Sequence, residues 1–170
     1  TSEVTITVPA GYSVAGASDE NITETAGAST LPVTVNVPGR PAAPQPQAGA
    51  LRSFRFVTKQ PSLVGNFAVA RYAARSLRIN GYQIDFFVQP GNEGFMEPYA
   101  KLIGEALQFY SQKYGQPAFG TRMVVAQIDD ASLDAYAAPG VQFLSPRFFT
   151  PGRQASLDER LLREVAYQWW

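Results

Sequence analysis

Three side chains within one helical turn are the first candidates for chemistry: Arg163, Glu164 and Tyr167, in the closing stretch R-E-V-A-Y-Q-W-W. Residues i and i+4 of a helix share a face, so Arg163 and Tyr167 would frame Glu164. A carboxylate so placed can act as a general base on a metal-polarised water, provided its neighbours are metal ligands. Here they are not. A guanidinium is a permanent cation with donors only. The chain contains no histidine and no cysteine, so no imidazole or thiolate site can be built from it. Glu164 therefore reads as a charge-pairing residue between Arg160 and Arg163, with no metal set around it. The remaining carboxylate group is Asp129, Asp130 and Asp134. It could hold a hard cation at a strand end, although solvated turn acids are the commoner case.

The element that must carry Glu164 is a helix over 156–168. Ser156 with Glu159 three residues on is a capping-box signature. Leu157, Leu161, Val165 and Trp169 recur every four residues, widened by Leu162 and Ala166, which makes one apolar face. The sequence reaches Trp169-Trp170 without a stop signal, so a longer parent polypeptide is expected, and its remainder would be this chain's first partner.

Upstream, β-branched alternation predicts strands over 3–8, 31–37 and 51–58, with a short one at Tyr12–Ala15. Residues 16–31 are small and polar and read as loop. The proline-rich run 38–50 cannot donate to a ladder and reads as a mobile surface loop. Further strands are expected at Asn66–Tyr72 and Ser76–Val88, the latter as a hairpin turning at Asn80-Gly81. After Pro90-Gly91 the texture changes. Helical spacing runs from Met96 to Tyr114 and stops at Gly115. Strands follow at Arg122–Ile128 and Val141–Leu144. The expected class is α+β, with a β-sandwich-like portion over 1–90 and an α/β portion over 91–170.

Composition narrows the function. Of 170 residues, 45% are hydrophobic and 16% charged, a globular balance. The net charge of +0 gives no electrostatic support for nucleic-acid or anionic-membrane binding. The arginine–aromatic alternation of Leu51–Thr58 reads as a half-wet strand, not a stacking platform. No apolar run approaches the ~20 residues of a membrane span. The compartment stays open, with export to a bacterial periplasm or the exterior as one option.

The stretch Arg163 to Trp170 resembles the H-E-x-x-H-Q-W segment of zinc aminopeptidases of the aminopeptidase N type, in the thermolysin-like gluzincin clan. The resemblance puts Glu164 at the general-base position, as a relic, and Arg163 and Tyr167 at the positions of the zinc histidines. Before it, Asp134-Ala135-Tyr136-Ala137-Ala138 matches the family's G-x-M-E-N segment, whose glutamate holds the substrate's amine. Ala137 stands for the glutamate and Ala138 for the asparagine. A methyl group can neither accept from an ammonium nor neutralise it. The resemblance implies that residues 1–90 end an N-terminal β domain and that 91–170 open a thermolysin-like peptidase domain. It implies zinc for the family and none for this chain. The function so implied is a non-catalytic, aminopeptidase-like segment used for binding peptide or protein, or as a scaffold. Arg163 would then replace the lost metal charge by pairing with carboxylates. The alternatives are a metallo-aminopeptidase completed by regions outside this chain, and a β-sandwich interaction module.

Overall fold

A computed structural model describes residues 1–20, 22–28, 50–59, 66–152 and 155–169. The strands are β1 (Ser2–Pro9), β2 (Ser13–Gly16), β3 (Thr23–Ala28), β4 (Ala50–Thr58), β5 (Phe67–Ala70), β6 (Ala73–Ile79), β7 (Tyr82–Val88), β8 (Arg122–Gln127), β9 (Ala135–Ala138) and β10 (Val141–Leu144). Helix α1 (Met96–Tyr114) lies between β7 and β8, and α2 (Ala155–Ala166) follows β10. Short 3-10 turns occupy Glu93–Phe95, Pro146–Phe149 and Tyr167–Trp169. The chain is α+β, as its mixed periodicities indicate.

The sheet that bears the candidate residues has the order β6-β7-β8-β10-β9. Its inner strands β7, β8 and β10 run parallel, and β6 and β9 close it antiparallel. A parallel neighbour needs a long crossover, and α1 supplies it between β7 and β8. The β6–β7 hairpin turns where expected, with Asn80 and Gly81 both at positive φ (52° and 85°).

Alternation along these strands serves two cores. On one face Ile84, Phe86, Met123, Val125 and Leu144 meet α1 and α2 through Tyr99, Ile103, Leu107, Leu161 and Val165. On the other, Val124, Ala126, Val141 and Phe143 meet Ala15 and Ala68 of the β2–β5 ribbon. That ribbon also contributes to a third cluster, in which Val14 packs with Val8, Phe54 and Phe56 of the sheet β1-β4-β3. Solvent-accessible ion pairs lie on both faces of this last sheet, Arg55 to Glu3 at 2.7 Å on the outward face and Arg52 to Glu24 at 2.5 Å beside Phe54. They neutralise one another, which agrees with the absence of a net charge.

Three expectations change. The segment read as loop over 16–31 contains β3, which pairs antiparallel with β4 from Thr23↔Arg55 to Ala28↔Ala50. Its sequence T-E-T-A-G-A has two threonines but otherwise Glu, Ala and Gly, which are depleted in strands, and the partner strand supplies the order. Ser156 lies inside the first turn of α2, which begins at Ala155. The five-stranded sheet draws β6 and β7 from before residue 90 and β8, β9 and β10 from after it. The strand expected at Leu31–Val37 and the proline-rich loop lie outside the described residues, apart from Ala50, which opens β4.

Candidate functional site

Helix α2 turns a mixed face to the sheet. Leu161 and Val165 are fully buried, and Glu164 and Gln168, on the same stripe, are only 6% and 5% exposed. Arg163 and Tyr167 point outward instead, Tyr167 with 55% of its surface in solvent. The regular helix ends at Ala166, and Tyr167 begins a 3-10 turn, so its register to Arg163 is no longer that of an α-helix. The structure thus places Glu164 inside and both of its framing residues outside.

The charge that meets Glu164 is Arg160, one turn back, with Nε 3.4 Å from Oε1. Arg163 makes no ion pair among the described residues, so its expected role as partner of several carboxylates finds no counterpart in them. Burial pushes the Glu164 carboxyl above its usual range, and the Arg160 and Arg163 guanidinium groups pull it partly back. A carboxyl so placed is a poor acceptor for water unless it is uncovered.

Opposite α2 runs the edge strand β9, which carries Ala137 and Ala138. It pairs with β10 as Ala137↔Gln142 and Ala138↔Val141. Gln142 is fully buried, and its Nε2 donates to the Leu161 carbonyl of α2 at 3.2 Å. From the 3-10 turn that follows α2, the Gln168 side chain accepts from the Gly140 amide at 2.8 Å. Sequence reasoning does not single out Gln142 and meets Gln168 only as the glutamine of the H-E-x-x-H-Q-W resemblance, although the signal for burial is there. Gln142 interrupts the apolar run V-Q-F-L, and Gln168 falls seven residues after Leu161 on the buried stripe.

The three aspartates do not come together. Asp130 accepts from the amide and hydroxyl of Ser132 in its own turn, which holds its carboxyl below the usual range. Asp134 pairs with Arg147 at 2.9 Å, and Asp129 is exposed. Among the described residues no three acidic side chains are grouped as a metal would require. A zinc ion does not fit at the positions of Arg163, Glu164 and Tyr167 either. One holds an outward guanidinium, the next a solvent-facing phenol, and the carboxylate between them is buried against Arg160.

No protein-family model matches the sequence, and a search of curated proteins finds none similar to it. Solved structures do match. One is aminopeptidase A of Legionella pneumophila, crystallised with aspartic acid, with a TM-score of 0.65 over 98% of this chain at 14% identity. This chain has the fold of one segment of that aminopeptidase. It spans 18% of the larger protein's length, and at this identity the likeness is one of fold. Among the described residues no helix is long and apolar enough to cross a membrane.

Proposed function

We propose that this chain is a segment of an aminopeptidase-like protein of the aminopeptidase N type that has lost its zinc and substrate-amine ligands. In this reading the segment binds peptide or protein, or serves as a scaffold, and performs no hydrolysis. The observation that carries the proposal is the state of Glu164. The carboxylate that the resemblance puts at the general-base position is buried and paired with Arg160. A general base needs an electrophile-activated water within reach, and the neighbouring positions supply Arg163 and Tyr167 instead. Ala137 and Ala138 offer an amine only methyl groups, whereas β9 has one strand neighbour among the described residues, β10. A strand with a free ladder edge suits an extended peptide held by its backbone.

The test uses the full-length gene product. Elemental analysis is expected to find zinc well below one equivalent, and aminoacyl substrates are expected to turn over no faster with wild type than with Glu164→Gln. Stoichiometric zinc, or turnover abolished by Glu164→Gln, would overturn the proposal.

A further inference from the structure

The turn joining β9 to β10 is held by α2, not by itself. Ala138 and Val141 are the last paired residues, so Pro139 and Gly140 form a two-residue turn. Proline followed by a glycine at φ +73° is the pattern of a type II turn. Its twist does not match that of a hairpin, which favours the mirror-image types. Pro139 has no amide hydrogen, and the Gly140 amide is buried. An unpaired buried N–H is costly. Its carbonyl is already engaged, accepting from the Val124 amide at 2.9 Å. A side chain has no room here, because a Cβ at this position would meet the Cβ atoms of Phe119 at 3.2 Å and Ala17 at 3.3 Å.

Gln168 answers both needs of the turn. Its Oε1 accepts from the Gly140 amide at 2.8 Å, and its Nε2 donates to the Val141 carbonyl at 3.4 Å. The strand returns the contact, since Gln142 Nε2 donates to the Leu161 carbonyl of α2. The end of α2 is itself fixed, because Trp169 Nε1 donates to the Gly115 carbonyl at 2.8 Å beyond α1 and its ring lies 5.5 Å from that of Tyr110.

We propose that Gln168 is the positioning residue of the β9–β10 hairpin: by accepting from the Gly140 amide it fixes the turn to α2, and with it the edge of β9 that has no strand neighbour among the described residues. The hairpin and α2 then move as one body. The bearing of this latch on peptide capture rests on the function proposed above. The latch itself does not, and it is tested in the free protein.

Amide hydrogen exchange read residue by residue in this chain decides the matter. In Gln168→Leu, which keeps the volume and removes the acceptor, Gly140 and the β9 amides are expected to lose protection about tenfold, the size of one net hydrogen bond. The β7 and β8 amides keep theirs. Gln168→Glu retains an acceptor oxygen for Gly140 but sets its second oxygen against the Val141 carbonyl, so it is expected to lose less protection at Gly140 than Gln168→Leu does. Three outcomes would overturn the proposal: Gly140 protection unchanged in Gln168→Leu, equal loss across all strands, or loss in Gln168→Glu as large as in Gln168→Leu. If Gln168→Leu does not fold while Gln168→Glu does, the Gly140 exchange of Gln168→Met decides by the same criteria.

Discussion

Glu164 and Arg160 are the side chains at which charge and burial compete. The carboxyl is raised by burial, so it takes up a proton more readily in the folded chain than in the unfolded one. Its stabilising contribution is therefore fully present below the ordinary value of 4.5 and is lost as the pH rises through the higher folded value. Stability should fall on going from pH 5 to pH 8 by an amount that Glu164→Gln removes. At pH 8 Glu164→Gln should match wild type within about 1 kcal/mol, since the Arg160 left behind is 40% exposed and stays solvated. Arg160→Met leaves the carboxylate buried without its partner and should cost ~1–3 kcal/mol. Urea unfolding at the two pH values measures both effects. A loss in Arg160→Met that persists in the background of Glu164→Gln would show that the arginine acts through its stem rather than its charge.

At the scale of elements, α2 and α1 are fastened by shape. Leu161 is fully buried against the sheet, and Leu161→Ala should cost ~2–5 kcal/mol in equilibrium unfolding. On α1, Gly104 lies where a Cβ would come within 2.6 Å of the Ile79 Cβ on β6. Alanine gains about 1 kcal/mol in helix propensity, yet overpacking costs ~1–3 kcal/mol, so Gly104→Ala should lower the unfolding midpoint. A midpoint above wild type would mean that β6 yields to the helix. Both helices were legible because their apolar stripes are long and periodic. The stripe of α2 also shows Glu164 three residues after Leu161, hence its burial. β3 was not legible, because T-E-T-A-G-A owes its extended form to β4, which begins more than twenty residues later. The amine-anchor reading of Ala137 and Ala138 rests on the resemblance alone, whereas their place on a strand depends on pairing with β10. The contacts of Gln142 and Gln168 are tertiary. Periodicity puts each inside, but only the fold says which carbonyl or amide it meets.

At the scale of the molecule, the question is where the chain divides. Texture changes at Pro90-Gly91, and the expectation of two parts, 1–90 and 91–170, rests on that change and on the family resemblance. The sheet argues for different units. β7 is an inner strand, hydrogen-bonded to β6 on one side and β8 on the other. Its Ile84 and Phe86 enter the core under the helices, and Phe87 packs against the core on the opposite face. A chain starting at residue 91 would lose this strand, expose the flank of β8, and leave Met123 and Val125 without their neighbours. Small domains have little stability to spare. The fragment 91–170 should therefore be unfolded, with a coil-like circular dichroism spectrum and no cooperative thermal transition. The fragment 66–170 restores β5, β6 and β7 but lacks β2, the partner of β5. It should regain helical signal and a transition, at a lower midpoint than the whole chain, because Ala15 no longer covers Val124 and Val141. A cooperative transition in 91–170 would restore the boundary at residue 90 and show that the three remaining strands and two helices hold a core of their own.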